Sequence, residues 1–436
     1  MTPIKNPPRA AIALVGLIQS RPRSVLLASL CLIALFTPFI STLTQDFTHK
    51  SLFRENDPLI EDYNRFEEQF GNDDSVTFAI HSPSGIFDKE SITLLQQLTA
   101  KMERLPDVVR VTSLTNFPWV HSRDDDLRIE PLFDDDSPLS DDFLIKRKSI
   151  ALNHETLPNY LISKDGKTAV SHAHLRPGNN PPPDPTPIID AAHQLALEFS
   201  QGDHVIYVTG GPAINHAFKQ ATAKDLAILV PIMLGLIVLL LAYNLRSMGG
   251  ILLSLLVVAV SIAATFGISG ILGFPITTTT GILPQILIAI GIADAVHILV
   301  VFFRAMRHKL PQPDAAKYSL LKNFQPTLLT SVSTAIGFFS FSTSGLKSIY
   351  ELGVLAGVGV LLAWFTTYFI LGPILFTVPL KATQFSSERR DRAMQRASYW
   401  GGVLTKNRSM VTIVFIVLSS GSLWLTTKNK VNSDPF

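Results

Sequence analysis

Long apolar runs alternate with polar segments along most of this chain. A helix needs about 20 apolar residues to cross a hydrocarbon core of about 30 Å. Seven runs are long enough, so the pattern predicts an α-helical membrane bundle of about seven transmembrane helices. The predicted spans are residues 24–44, 225–244, 249–270, 278–303, 324–343, 349–377 and 409–427.

The segment between the first two runs has the shorter periodicities of a folded domain outside the membrane. Apolar and polar residues alternate in some stretches, as in "SVTFAIH", and recur at helical spacing in others. The predicted elements are strands at 75–81, 108–114 and 204–211, helices at 88–104 and 186–200, and a hairpin at 159–175 that turns at Asp165-Gly166. Two β-α-β units of similar size result, and we interpret residues 45–222 as an α+β porter-type domain of two small ferredoxin-like subdomains.

Basic residues fall in alternate polar segments, and this pattern predicts the orientation in the membrane. Lys and Arg precede the first run, follow the second and fourth runs, and fill residues 378–408. By the positive-inside rule, residues 1–23 and the linker 378–408 are cytoplasmic, whereas the domain 45–222 and the tail 428–436 lie on the periplasmic side. The first run is too long for an ordinary signal peptide and no clear cleavage site follows it, so we interpret it as an uncleaved anchor. We therefore expect a multi-pass protein of the bacterial inner membrane.

Composition and charge support this division. Hydrophobic residues make up 47% of the chain and charged residues 17%, whereas a soluble domain is nearer a quarter charged. Residues 45–222 hold 28 acidic and 16 basic residues, and the remainder holds 7 acidic and 21 basic residues. The basic residues lie in short segments between apolar runs, which argues against a nucleic-acid partner.

The polar segments contain none of the common catalytic or metal-binding motifs. We find no nucleophile elbow, no phosphate-binding loop and no His/Cys spacing for a metal, and we expect neither an enzyme nor a cofactor. The acidic runs at 124–126 and 134–136 are interpreted as solvated loops. The single cysteine, Cys31, excludes an intramolecular disulfide.

"GIADAVHIL" (291–299) places a carboxylate, Asp294, within the fourth apolar run. An ionised carboxylate in the middle of a membrane costs about 2.5–3.5 kcal/mol on insertion scales, and hydrocarbon favours its neutral form. Asp294 is therefore a candidate proton-coupling group, although a structural hydrogen bond to a neighbouring helix is an alternative. His297 follows at i+3 on the same helix face, where it could relay the proton, form an ion pair or simply pack.

Three further residues are candidates for shaping the helix around this carboxylate. Gly291 and Ala295 are small enough to permit close helix contact. Pro284 precedes the carboxylate and predicts a kink in the span.

Four segments carry a family resemblance. They are "NDPLIEDYNRFEEQFGNDDSV" (56–76), "VVRVTSLTNFP" (108–118), "VTGGPAINHAF" (208–218) and "GIADAVHIL" (291–299). With one span, a large outside domain and a bundle of five spans, the chain resembles the RND superfamily of transporters, most closely the MMPL-like branch that handles lipids and other hydrophobic molecules. In relatives, the carboxylate of the fourth span takes up and releases protons. Asp294 occupies that position, and Ala295 stands where many relatives carry a second polar residue.

The resemblance implies a proton-driven exporter of hydrophobic or lipid-like molecules, with a periplasmic carrier protein considered as a further partner. Two other classes stay open: a protein-export subunit like the two-chain auxiliary factor of the Sec translocon, and a non-transporting sensor or scaffold. Residues 21–47 resemble residues 406–436, so we expect one full repeat followed by the opening of a second. The missing half would then come from a second copy or another chain, unless the chain is a truncated or split product.

Overall fold

The structure is a computed structural model that describes residues 7–54, 57–70, 74–123, 126–134, 138–176, 184–200, 202–382 and 387–429. The chain divides into two units, residues 1–380 and 381–436. The predicted tail lies outside the described residues from position 430 onward, as do most of the two acidic runs.

The first predicted span is helical over most of its length. Helix α1 (Arg9–Ser20) precedes it and buries Ala11, Val15 and Ile18 on one face. Helix α2 (Pro22–Ala34) then begins the span, and a 3₁₀-helical turn at Thr37–Thr42 ends it.

Residues 58–209 form a domain built around one four-stranded sheet. Its elements are α3 (Pro58–Phe70), β1 (Ser75–His81), α4 (Lys89–Met102), β2 (Val108–Thr112), β3 (Pro118–Arg123), β4 (Asp126–Pro131), α5 (Asp141–Asn153), β5 (Thr168–Leu175), α6 (Thr186–Phe199) and β6 (Val205–Thr209). The strand order is β2-β5-β1-β6, and every neighbouring pair is antiparallel. Alternate residues of β1 (Val76, Phe78 and Ile80) are fully buried in a core shared with α4 and α6.

The two predicted β-α-β units interleave in this sheet. Strand β1 of the first unit pairs with β5 and β6, which are both strands of the second unit. The prediction of two separate subdomains is therefore wrong, because β1 lies inside the sheet and hydrogen-bonds to strands of the second unit on both of its edges. The hairpin β3–β4, which pairs Pro118–Arg123 with Asp126–Pro131, forms a second sheet and was not predicted.

The predicted hairpin at 159–175 has only one regular arm. Strand β5 follows the turn, in which Gly166 adopts a φ of +70°. The preceding arm is irregular: Pro158 has no N–H to donate, Asn159 has a φ of +66°, and Ile162 makes only isolated bridges, to Pro158 and Ala169.

The bundle follows the sheet domain directly. Its helices are α7 (Gly211–Leu245), α8 (Met248–Leu272), α9 (Leu283–Arg307), α10 (Gln312–Phe339), α11 (Lys347–Thr366) and α12 (Gly372–Thr377). A π-helical turn at Thr367–Leu371 joins the last two. In the second unit, α13 (Ser387–Lys406) lies within the predicted linker, and α14 (Arg408–Thr426) coincides with the last predicted span.

Within the described residues, six helical segments are long and apolar enough to cross a membrane, instead of the predicted seven. The exception is the predicted span 324–343, which falls mainly on α10. This helix is long enough, but amide, hydroxyl and lysine side chains reduce its apolar character. It nevertheless packs against both α9 and α11.

A tight turn connects the sheet to α7. Gly210 has a φ of +108°, and a Cβ at this position would lie 2.1 Å from the carbonyl oxygen of Ser75. Only glycine tolerates both conditions. Helix α7 then runs for 35 residues, about 50 Å at 1.5 Å per residue, without a break from the sheet domain into the bundle.

The two ends of the bundle differ in their attachments. Helix α9 ends, and α10 begins, beside Arg304, Arg307 and Lys309, and we call this the basic end. We call the opposite end, where α7 leaves the sheet domain, the domain end.

Candidate functional site

Asp294 lies in the middle of α9 and is only 4% exposed. Helix α9 packs against α8, α10 and α11, so the carboxylate sits inside the bundle. Ala295 and Ile298, on neighbouring positions of the same helix, are fully buried. A carboxylate so placed needs a polar partner, because burying an unpaired charge is costly.

Ser331 of α10 is that partner. Its Oγ donates a hydrogen bond of 2.8 Å to Oδ2 of Asp294, and the serine itself is 2% exposed. A hydroxyl can donate to a carboxylate and can also accept from a carboxylic acid. The pair can therefore accommodate both protonation states of Asp294 without moving either helix.

His297 does not share the buried surroundings of Asp294. It lies within electrostatic range of the carboxylate, but its side chain is exposed. In the described part of the chain, the hydrogen bond to Asp294 comes from Ser331 and not from His297. An i+3 neighbour on a helix is displaced by about 60° around the axis, which is enough here to place one residue inside the bundle and the other at its surface.

The residues predicted to shape the helix have distinct positions. Gly291 lies at a close helix contact: a Cβ there would be 3.1 Å from Val258 Cγ2 and 3.4 Å from Ala363 Cβ. Ala295 is fully buried beside the carboxylate. Pro284 is the second residue of α9, where a missing N–H has no cost, and the 3₁₀-helical turn Thr280–Ile282 directly precedes this helix. The predicted kink stays a prediction.

Tyr368, on the π-helical turn after α11, is a further polar group near the carboxylate. It is fully buried and within electrostatic range of Asp294. Its hydroxyl lies 3.2 Å from Oγ1 of Thr327 on α10 and donates to the carbonyl of Leu320 at 3.4 Å. Sequence analysis did not single out Tyr368, although a tyrosine inside a long apolar run is a signal for a buried polar contact.

A second carboxylate, Glu351, is fully buried in the first half of α11. The 3₁₀-helical segments His49–Leu52 and Ser340–Thr343 pack against α11 at the domain end. Glu351 lies 15 residues before Thr366, the last residue of α11, and is therefore at the opposite end of this helix from Tyr368.

Polar contacts join the sheet domain to the bundle at the domain end. Lys219 of α7 donates to both carboxylate oxygens of Asp184, at 2.9 and 2.8 Å, just before α6 begins. The hydrogen bonds from Lys219 and Thr186 lower the pKa of Asp184 to about 2. Arg54 donates to the carbonyls of Ser342 and Ser344, at 3.1 and 2.6 Å.

Comparison with known proteins adds the family. The sequence profile of the MMPL family matches residues 51–412. The chain belongs to the MMPL family. This match covers the sheet domain, the bundle and the start of α14, and it confirms the resemblance seen in the sequence. With the apolar helices described above, it identifies a multi-pass membrane protein of the RND/MMPL transporter type.

Two relatives show local similarity. The hopanoid transporter HpnN of Rhodopseudomonas palustris (strain TIE-1) is 29% identical over 196 residues, which are 43% of this chain and 22% of that protein. The putative membrane protein MJ1562 of Methanocaldococcus jannaschii is 21% identical over 163 residues, which are 37% of this chain and 42% of that protein. The matched regions thus span less than half the length of either relative.

No group of three or more His, Cys, Asp or Glu side chains is arranged to hold a metal ion among the described residues.

Proposed function

We propose that this chain takes part in proton-driven export of lipid-like or other hydrophobic molecules from the bacterial inner membrane. The observation that carries the proposal is the buried Asp294 in the centre of an MMPL-family bundle, held by a single hydroxyl donor on a neighbouring helix. Transport chemistry, not enzymatic catalysis, is the activity that this family and the HpnN relative support.

The proposed orientation places the basic end of the bundle and the N-terminus in the cytoplasm. Arg304, Arg307 and Lys309 lie at the basic end, and positive charge is retained on the cytoplasmic side. The sheet domain then lies in the periplasm. Its interleaved β-α-β-β-α-β order supports a ferredoxin-like porter-type domain. Helix α10 would cross the membrane inside the bundle, where its polar residues contact other helices instead of lipid.

The proposed cycle uses the two protonation states of Asp294. A neutral carboxyl is tolerated in the closed, apolar packing of the bundle, whereas a carboxylate requires donors or water around it. A conformation that changes these surroundings therefore changes proton affinity, and proton uptake in turn favours one conformation. One charge moved across 100 mV supplies about 2.3 kcal/mol to such a cycle.

Helix α7 would connect this cycle to the sheet domain. It runs unbroken from Gly210 at the sheet to the basic end, and Lys219 on α7 is bonded to Asp184 beside α6. A tilt of α7 would therefore move the domain that faces the substrate. We propose a lipid-like substrate because one MMPL-type relative is a hopanoid transporter.

Further protein partners form part of the proposal. The exposed side of α9 carries His297, a titratable residue that would not face lipid in a stable bundle. We propose that a second repeat, a second copy of this chain or another chain covers it. A periplasmic carrier is the proposed acceptor of a hydrophobic product in water.

Transport by reconstituted vesicles tests the proposal. Inside-out vesicles holding a pH-sensitive dye would be given a hopanoid and, in a separate assay, a pyrene-labelled phospholipid. We expect lipid-dependent proton movement by the wild type, loss of that movement in Asp294→Asn, and retention in the matched control Asp314→Asn. Asp314 is an exposed aspartate in the first turn of α10. Lipid movement that is unchanged in Asp294→Asn would contradict a proton-driven mechanism through this residue.

A further inference from the structure

A row of buried polar side chains follows one stripe of α10. Ser319, Asn323, Thr327 and Ser331 recur every four residues, and each is at most 8% exposed. Residues at i and i+4 lie on the same helix face. We call this row the α10 polar row.

The α10 polar row extends from Ser331, which contacts Asp294, toward the basic end. Ser331 donates to Asp294, and Thr327, one turn nearer the basic end, contacts the Tyr368 hydroxyl at 3.2 Å. Ser319 is 12 residues before Ser331, about 18 Å along the helix, and lies only two turns from the start of α10 at Gln312.

Members of the row bond to one another's backbone and to α9. Asn323 Nδ2 donates to the Ser319 carbonyl at 2.9 Å, and Thr327 Oγ1 donates to the Asn323 carbonyl at 2.8 Å. Ser319 Oγ donates to the carbonyl of Ile298 on α9 at 2.5 Å. Each hydroxyl keeps lone pairs that can accept a proton or a water hydrogen.

The other side of Asp294 has a different character. Toward the domain end, α9 and α11 meet in an apolar cluster. Its buried members are Leu283, Leu287, Leu352, Leu355, Ala356 and Val360. The packing is close, since a Cβ at Gly359 would lie 2.6 Å from Leu287 Cδ2. Such a cluster offers no group that could carry a proton.

Helix α8 also carries buried hydroxyls beside this cluster. Ser261 and Thr265 donate to carbonyls of their own helix, and Ser261 also lies 2.7 Å from the Thr366 hydroxyl. Among the described residues, none of these hydroxyls bonds to Asp294. These α8 hydroxyls are the alternative route for the proton, leading from Asp294 toward the domain end.

We propose that the α10 polar row is the route by which Asp294 exchanges its proton with the basic end, while the apolar cluster closes Asp294 to the domain end. This inference rests on the proposed proton-coupled function and adds the side of access in the conformation described. When Asp294 releases its proton, the carboxyl O–H bond breaks and a new O–H bond forms on a hydroxyl or a water molecule in the row. That group passes on a proton of its own, and the last acceptor is water at the basic end. No electrons are transferred.

Among the described residues, few other titratable groups lie near Asp294. His297 on α9 and Tyr368 lie within electrostatic range of Asp294. The side chains that α10 brings to the carboxylate are neutral, and Glu351 lies beyond the apolar cluster on α11. The protonation state of Asp294 should therefore reflect the pH on the side from which it is protonated, with little influence from other titratable groups.

Carbodiimide labelling in proteoliposomes tests the route, because dicyclohexylcarbodiimide modifies protonated carboxyls. Orientation would be fixed by protease cleavage of the sheet domain, the pH clamped separately on each side, and modification of Asp294 followed by mass spectrometry. We expect the extent of labelling to follow the pH at the basic end and to ignore the pH at the domain end.

Variants of the row then test its members. After a pH jump at the basic end, we expect Thr327→Val to slow the change in labelling about tenfold, since a positioned proton-transfer group contributes that much or more. Thr327→Ser should restore the rate because it keeps the hydroxyl. Thr330→Val is the matched control: Thr330 lies on the exposed side of the same helix.

The outcomes separate this inference from the proposed function. Labelling that follows the pH at the domain end would overturn the route and leave proton coupling through Asp294 intact. Labelling that ignores the pH on both sides would contradict the proposed function as well. Equal slowing by Thr327→Val and Thr330→Val would overturn the role of the row, because it would reflect helix packing alone.

Discussion

The bundle and the junction with the sheet domain each depend on an aspartate held by a side chain from another helix, yet the two carboxylates have opposite environments. Asp294 is buried among apolar residues and accepts from the neutral Ser331. Asp184 is more than half exposed and accepts from the cationic Lys219. A charged partner therefore fixes one protonation state of a carboxyl group, whereas a hydroxyl partner allows both. Asp184 is therefore suited to holding two elements together, and Asp294 to exchanging a proton.

The largest effect is expected from Asp294→Asn. The amide retains the shape of the side chain but cannot take up a proton, so proton movement coupled to lipid should fall to background. Asp184→Asn should leave the rate of coupled proton movement within about fivefold of the wild type, since a surface ion pair contributes at most about 1 kcal/mol. Initial rates of dye response in the same vesicles compare the two variants. Equal loss of proton movement in both variants would contradict the different roles assigned to the two aspartates.

The helices of the bundle are also tightly packed. A Cβ at Gly267 of α8 would lie 2.2 Å from the carbonyl oxygen of Phe36 at the end of the first span. We expect Gly267→Ala to force the two segments apart and to destabilise the protein by about 1–3 kcal/mol. Thermal unfolding in detergent measures the effect.

Gly235→Ala on α7 is the matched control for this variant. A Cβ there meets nothing within 4 Å, so we expect no loss and a gain of at most about 1 kcal/mol in helix propensity. Similar destabilisation by both alanines would show that the contact between α8 and the first span is not as close as described.

A smaller effect is expected from His172 on β5. Burial lowers the pKa of its imidazole below 6.5, so the folded domain binds fewer protons than the unfolded chain. Stability should therefore fall as the pH drops below about 6.5. Hydrogen exchange of residues 168–175, corrected for intrinsic pH dependence, measures this loss. The loss should be smaller in His172→Gln, in which His174 of the same strand still has a lowered pKa, and unchanged in His193→Gln, which alters an exposed histidine of α6.

The smallest effect is expected at the junction itself. The lowered pKa of Asp184 means that its contribution is complete above about 4 and is lost as the pH falls toward 2. Because the pair is solvent-exposed, we expect no more than about 1 kcal/mol. Protease resistance of the segment around residue 184 should decline over this range in the wild type. In Asp184→Asn, protease resistance should be as low at every pH as it is in the wild type at acid pH, because the ion pair with Lys219 is absent. Asp203→Asn should behave as wild type.

The sequence predicted the parts of the fold that have a strong local period. Strand β1 was predicted at its observed bounds, and α4 and α6 within two residues of theirs. Asp294 was identifiable because a lone carboxylate stands out in an apolar run. These features depend on residues close together in the chain.

Features that depend on distant residues were not predicted correctly. The pairing of β1 with β5 and β6 joins the two β-α-β units in one sheet, and no local pattern specifies which strands pair. Ser331 was not predicted as the partner of Asp294, although the four-residue spacing of polar residues from Ser319 was available as a signal for a buried stripe. His297 was expected beside Asp294 but is exposed, because neighbouring helices determine which side of α9 is covered.

The central claim is that Asp294 takes up and releases a proton, and infrared difference spectroscopy of the reconstituted protein tests it most directly. A protonated carboxyl in an apolar site has its own C=O stretching band. We expect a band that appears and disappears as the pH at the basic end is changed, and that is absent in Asp294→Asn but present in Asp314→Asn. The absence of any carboxyl band that changes with the pH at the basic end, or a band that still changes in Asp294→Asn, would contradict the account.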